Sequence, residues 1–261
     1  MQRQTTSATI VSPYREYQPA AELSQYVECF WTHETAAPQS RHRVLPDGCS
    51  DILFMRPNEG RSELLLIGTM THAGLFDLPQ GSFLGVRFRP GMSVYFAPVP
   101  GTETVDQRWP LQDVWGARAR QLSERLGESS SVEAGVAVIE SQLRVQMNAH
   151  PENRRALSPT QRVLHWAERE RGFVRVDQLA HHAGLSTRQL RRLCLQLTGL
   201  TPKQLCRVIR FRHAAVQAQL VRRGEWSQVA LDCGYYDQAH FINEFRTLSG
   251  LTPSEYCSAG A

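Results

Sequence analysis

No apolar run in this chain approaches the roughly 20 residues that a membrane-crossing helix needs, and the first residues lack the charged-then-apolar pattern of a secretory signal. A cytoplasmic protein with reduced thiols is the expectation. The six cysteines form no Cys-x-x-Cys pair, which argues against both a zinc site and a disulfide framework. His33, His42 and His72 lack the short-spaced clustering of a metal-dependent enzyme, so no catalytic residue, metal or cofactor is assigned. Lysine is almost missing: Lys203 is the one lysine among 29 basic residues. That bias fits genome composition as readily as selection for paired contacts.

The charge that is present is unevenly placed. Residues 157–261 hold 14 Lys+Arg against 8 Asp+Glu, net +6, while the rest of the chain holds 15 against 17, net −2. Positive charge gathered on one part of a chain is the footprint of a polyanion binder. At 261 residues, two domains are expected, each large enough to bury its own core.

An internal repeat is more telling. Leu197-Thr-Gly-Leu-Thr-Pro-Lys-Gln-Leu-Cys206 recurs as Leu248-Ser-Gly-Leu-Thr-Pro-Ser-Glu-Tyr-Cys257, offset by 51 residues. Ahead of each stands an Ala-x-x-x-Gly element, Ala180 to Gly184 and Ala230 to Gly234, offset by 50. Repetition at such a period means duplicated supersecondary structure. In the first copy Leu179, Ala180 and Ala183 give a short helix its apolar stripe, and Gly184 stops it. Ser186-Thr-Arg-Gln189 is a capping box opening a second helix, whose Leu190, Leu193, Cys194 and Leu197 keep core spacing. Arg188, Arg191 and Arg192 fall on the remaining surface. In the second copy Val229, Ala230 and Cys233 precede the Gly234 turn, and Asp237 is positioned as an N-cap. Phe241, Phe245 and Leu248 face inward, leaving Gln238, Ala239, His240, Ile242 and Asn243 for the open face. Each copy reads as a helix-turn-helix. His181 and His182 read as surface or phosphate-adjacent residues, and Cys194, Cys206, Cys233 and Cys257 as small core hydrophobes.

Between the copies, Thr201-Pro202-Lys-Gln204 is another capping box, and no further glycine or proline intervenes until Gly224. The expected helix runs to Arg223, about 20 residues or roughly 30 Å. Successive major-groove faces of B-DNA lie about 34 Å apart, so such a helix can hold two recognition helices in adjacent grooves.

Residues from about 158 to 257 resemble the DNA-binding domain of the AraC/XylS family of bacterial transcription regulators. The likeness is carried by Leu179-Ala-x-x-Ala-Gly-Leu-Ser186, Thr198-Gly-Leu-Thr-Pro202 and Arg210-Phe-Arg-His-Ala214, then by Ala230-x-x-x-Gly-Tyr-Tyr-Asp-Gln-Ala-His-Phe241, Phe245-Arg246 and Ser249-Gly-Leu-Thr-Pro-Ser254. It implies a domain that reads two successive major-groove segments of promoter DNA. Thr187, Arg188, Arg191 and Arg192 would serve the first segment, and Gln238, Ala239, His240, Ile242, Asn243 and Arg246 the second. Ala239 and Ile242 depart from the polar residues often seen there, which points to backbone and thymine-methyl contacts. RNA polymerase is a further partner that such a regulator implies.

The remainder reads as an α+β, multidomain arrangement with a β-rich regulatory domain over 1–110, a helical extension over 111–147 and a linker over 148–157 opening onto the cap Ser158-Pro-Thr-Gln161. Residues 1–20 look irregular. Apolar or alternating runs at Gln25–Thr32, Asp51–Met55, Glu63–Met70 and Ser82–Phe88 are separated by Pro46-Asp-Gly48, Pro57-Asn58 and Pro79-Gln-Gly81, a pattern of antiparallel sheet. Val44-Leu-Pro-Asp-Gly-Cys-Ser-Asp-Ile-Leu53 and Gly85-Val-Arg-Phe-Arg-Pro-Gly91 resemble the N-terminal domains of one AraC-type subgroup, a small jelly-roll or cupin-like barrel. A barrel mouth is a common ligand pocket, and Asp47, Cys49, Asp51 and Arg87 are the polar groups placed to line one, with His72 and Arg89 nearby. Cys49 also has the position of a sensor thiol. The stripe Val132, Val136, Ile139, Leu143 and Met147, and a second at Leu122 and Leu126, either pack on the β-domain or join two protomers as an antiparallel helix pair. A β-domain that senses an unknown effector and one that binds only a protein partner both fit. A fused alkylation-repair methyltransferase does not, because Cys29 and Cys49 are too few for its zinc-bound cysteine cluster.

Overall fold

The computed structural model describes residues 14–149, 157–221 and 224–258. The alternating runs form the centre of a sheet: β2 (Val27–Thr35), β4 (Ser50–Pro57), β5 (Glu63–Ile67) and β7 (Gly81–Phe88). Short strands β1 (Tyr14–Tyr17) and β8 (Arg108–Pro110) close its edges, in the order β1-β2-β7-β4-β5-β8. Every pairing is antiparallel. β3 (Gln39–Val44) and β6 (Gly74–Leu78) make a separate two-stranded ribbon. The His33 and His42 rings, 5.5 Å apart, mark where this ribbon lies over one sheet face. The expectation of a β-rich, antiparallel N-terminal domain is met.

Register sorts the faces. Val86 pairs with Phe30 on one side and Ile52 on the other, and all three are fully buried. One residue along, Arg87 sits between Cys29 and Asp51, so these three share the opposite face. Helices α2 (Leu111–Trp115), α3 (Ala117–Gly127) and α4 (Val132–Ala149) cover the apolar face, while the short α1 (Gly101–Thr104) packs on the C-terminal half. Leu122, Leu126, Ile139 and Leu143 are all buried against the sheet. Those four members of the stripes considered for joining two protomers are occupied by the chain's own core, while Val132, Val136 and Met147 are half-buried.

Several boundaries differ from expectation. Residues 21–26 form turns, so β2 starts at Val27. β5 stops at Ile67, because Gly68 packs so tightly on Thr104 that no side chain fits there. Residues 14–17 are strand, although 1–20 read as irregular; 1–13 lie outside the described residues, as does most of the expected linker, 150–156.

The C-terminal half is helical: α5 (Leu157–Arg169), α6 (Val176–Ala183), α7 (Thr187–Thr198), α8 (Pro202–Leu220), α9 (Trp226–Asp232), α10 (Gln238–Ser249) and α11 (Pro253–Ser258). α5 begins one residue ahead of Ser158, and α8 ends at Leu220 rather than Arg223. The buried side chains of the two halves form one continuous core. At their junction the Pro46-Asp-Gly48 turn, with Gly48 at φ +84°, rests on Leu205 and Val208 of α8. Among the described residues no helix is long and apolar enough to cross a membrane.

Candidate nucleic-acid interface

The first unit folds as its residues dictate. Gly184 takes the left-handed conformation at φ +69° and ends α6. Ser186 then caps α7: its Oγ accepts from Gln189 N at 3.2 Å, while Gln189 Oε1 accepts from Ser186 N at 2.8 Å. Leu190 and Cys194 are buried, with Leu193 and Leu197 half-buried beside them. Thr187, Arg188, Arg191 and Arg192 are all exposed. His181 and His182 are exposed, and His182 stacks on Trp166 at 3.5 Å.

The second unit repeats the design. Gly234 turns the chain at φ +71°, and Asp237 Oδ1 accepts from His240 N at 2.7 Å to cap α10. Phe241, Phe245 and Leu248 are buried. Gln238, Ala239, His240, Asn243 and Arg246 are exposed, whereas Ile242 is half-buried against the core and offers only part of its side chain. His240 Nδ1 accepts from Tyr236 N at 3.2 Å, and Gln238 Oε1 accepts from Ser227 Oγ at 2.6 Å, so both side chains already steady the turn.

Helix α8 binds the units together through residues that spacing alone did not single out. Arg207 makes a two-pronged pair with Glu244 of α10, at 2.6 and 3.0 Å. Arg210 donates to Gly172 O at 3.0 Å and lies 5.7 Å from the rings of both Phe173 and Tyr235, joining the loop before α6 to the turn before α10. Arg212 points the other way. It reaches Glu168 of α5 at 2.6 Å and Glu28 of β2 at 3.7 Å. The Arg-Phe-Arg-His motif thus sends successive side chains to different neighbours, with Phe211 filling the core.

The β-rich half touches both units at the duplicated signature. Gly91 and Gly101 pack on Leu197, Thr198 and Gly199, so closely at Gly101 that a Cβ would collide with the Gly199 backbone. At the second copy Ala73 N donates to Leu248 O at 2.7 Å, and Arg43 Nη1 donates to Ser249 O at 2.6 Å. Beside the first contact lies a cleft of about 420 Å³, lined by Pro100 and Thr102 on one side and Arg188, Arg191 and Arg192 on the other.

The candidate ligand residues of the β-domain divide. Arg87 lies 3.4 Å from Asp47 and 3.5 Å from Asp51, and Trp31 Nε1 donates to Asp51 at 2.7 Å. Burial pushes the Asp51 carboxyl up to about 6, against the opposing pull of Arg87. These groups form one charged cluster, in which the buried Arg87 Nε makes ion pairs but no hydrogen bond. Cys49 faces away, toward α8: its thiol donates to Glu28 at 3.2 Å, and burial, reinforced by Asp47 and Glu28, pushes it well above the ordinary thiol range. A buried thiol held protonated lacks the thiolate character of a sensor. His72, exposed, hydrogen-bonds Thr71 instead of entering this group, and Arg89 Nε donates to Ser24 O.

Residues 179–259 match a helix-turn-helix domain family, and residues 15–110 match a domain of unknown function (DUF6597). Residues 161–196 also match the transcriptional regulator AbiEi antitoxin family. Over 160 residues the chain is 29% identical to the HTH-type transcriptional activator RhaR of Escherichia coli (strain 536 / UPEC) and of Shigella flexneri, a match covering 57% of this chain and 56% of each relative. The chain spans about half the length of the curated relatives it matches. Among solved structures, an AraC-type regulator from Chromobacterium violaceum is 26% identical over 40% of this chain and 92% of its own, with TM-score 0.37. ToxT from Vibrio cholerae O395 is 11% identical over 94% of this chain and 97% of its own, with TM-score 0.45. The helix-turn-helix match falls on the duplicated signature, so this half of the chain is similar to HTH-type transcriptional regulators such as RhaR, with a β-rich domain ahead of it.

Proposed function

We propose that the chain regulates transcription by inserting α7 and α10 into successive major-groove segments of promoter DNA. The observation that carries this reading is the mounting of two capped helices, each with an exposed polar face, on the single helix α8. At 1.5 Å per residue α8 is about 28 Å long, close to the roughly 34 Å between successive groove faces. Thr187, Arg188, Arg191 and Arg192 serve the first segment. Gln238, Ala239, His240, Asn243 and Arg246 serve the second, with Ile242 offering a methyl contact. The setting is the cytoplasm, RNA polymerase is the further partner, and the β-rich half answers to an effector, a protein partner or a second copy of the chain. It acts by shifting the balance between DNA-competent and restrained arrangements, which requires a difference in affinity for the two.

Single substitutions test the contacts. Full-length protein first selects a preferred site from random duplexes, and Arg191→Ala, Arg192→Ala and Asn243→Ala are then measured on that site and on its single-base variants. A base-reading side chain costs about 1–3 kcal/mol and relaxes preference at one position. Equal losses on every sequence identify a phosphate contact instead. No loss in any of the three removes them from the interface.

A further inference from the structure

We infer that the cleft between the two helix-turn-helix units is a third DNA contact, which holds the sugar-phosphate backbone of the segment between the two major grooves. The inference rests on the DNA-binding reading above and extends it to residues that reading does not use.

Geometry sets what this surface meets. Recognition helices in successive major-groove segments leave one minor groove between them, with a sugar-phosphate strand on either side facing the protein. Between the units lies a cleft of about 740 Å³. One wall is the end of α5 and the loop into α6, with Arg169, Arg171 and Phe173. The other is the turn of the second unit, from Leu231 to Tyr236, closed by His240 of α10. α6 is the first helix of its unit, the one that crosses the backbone when a helix-turn-helix docks. His240 is exposed near the start of α10. Both walls therefore run onto the surface proposed to face DNA.

The side chains suit a sugar-phosphate strand. Arg171 takes φ +51° just ahead of Gly172 at +72°, and Gly172 packs on the Cys206 carbonyl of α8 so closely that no side chain fits there. A non-glycine residue keeps that conformation where its surroundings impose it. The turn holds Arg171 against the cleft, where it donates to His213 Nε2 at 3.3 Å and pairs with no carboxylate among the described residues. The two acids nearby are engaged: Glu170 lies 3.7 Å from Arg169, and Asp232 accepts from Gln228 Nε2 at 2.8 Å. Arg210 adds positive charge behind the Phe173 and Tyr235 rings. Phe173, Leu231 and Tyr236 are 65%, 71% and 92% exposed, an apolar rim gathered at one place. Such a rim packs on deoxyribose, while arginine and the tyrosine hydroxyl donate to phosphate oxygens.

The test uses the full chain and the selected duplex. Arg171→Asn removes the charge with a residue that accepts the left-handed backbone, and Tyr236→Ala truncates a side chain that is almost wholly in solvent. Circular dichroism verifies folding. Arg171→Asn is expected to weaken binding about tenfold on every single-base variant and to lower the salt slope by about one; Tyr236→Ala is expected to cost about threefold to tenfold. Neutral methylphosphonate linkages are then placed in the central segment, one strand at a time. On one strand they are expected to weaken wild type but cost Arg171→Asn little more, because the two changes remove the same contact. Folded variants that bind like wild type overturn the inference, as do losses confined to one base pair or losses that simply add to those from the neutral linkages. If Arg191→Ala and Asn243→Ala weaken binding while Arg171→Asn and Tyr236→Ala do not, the two-groove reading stands and the cleft receives another partner. If wild type binds no duplex, both readings fall.

Discussion

Asp51 shows how one residue's register sets its chemistry. Its place on β4 opposite Arg87 buries the carboxyl, and burial outweighs the attraction of Arg87 to hold it at about 6, above the ordinary 3.8. The folded chain therefore binds this proton more tightly than the unfolded chain. The resulting stability is complete below the ordinary value and is lost as pH rises through about 6. Asp51→Asn removes that dependence. The stability gap between wild type and the variant, measured by urea unfolding, is expected to shrink by about 2–3 kcal/mol as pH is raised from about 4 to about 7. A gap that stays constant means that Asp51 does not titrate in this window. The grouping of Asp47, Asp51 and Arg87 was legible in the sequence because turn and strand alternation placed all three near one end of the sheet. The direction of Cys49 was not. It depends on α8 packing against the Pro46-Asp-Gly48 turn, a contact between residues far apart in the chain.

At the scale of elements, the capped helices were the most readable part. Ser186 with Gln189, Thr201 with Gln204, and Asp237 announce their helix starts through local hydrogen bonds, and the structure forms each of them. Central strands were readable by alternation, but β1, β3, β6 and β8 were not. They are short or polar, and pairing with a neighbour rather than their own pattern makes them strands. The half-burial of Ile242 was not legible for a related reason, since it comes from packing that helical spacing alone does not reveal. Within the sheet, Gly85 lies directly beneath the indole of Trp31, where an added Cβ would overlap the ring. Gly85→Ala is expected to lower stability by about 1–3 kcal/mol, because Trp31 must move and strain or lose its bond to Asp51. Thermal or denaturant unfolding checks this, and an unchanged midpoint shows that the indole relocates freely.

At the scale of the whole molecule, the duplicated signature was visible as a repeat, while its second use was not. Sequence shows that Leu197–Pro202 and Leu248–Pro253 share a design; only the folded chain shows that both lie against the β-rich half. The apolar stripes at 122–147 carried the opposite lesson, because the same period suits a seam between protomers and a helix packed at home, and burial shows Leu122, Leu126, Ile139 and Leu143 packed at home. Charge segregation and the mounting of α7 and α10 on α8 are the ground for the proposed central property, recognition of a polyanion by shape and sequence. Fluorescence anisotropy of the full-length chain tests it most directly, on the DNA upstream of its own gene and on scrambled duplex, over a series of salt concentrations. The account predicts tighter binding to the upstream DNA and affinity that falls steeply with salt on both duplexes, as counterion release requires. Affinity that stays flat across the salt series would contradict it.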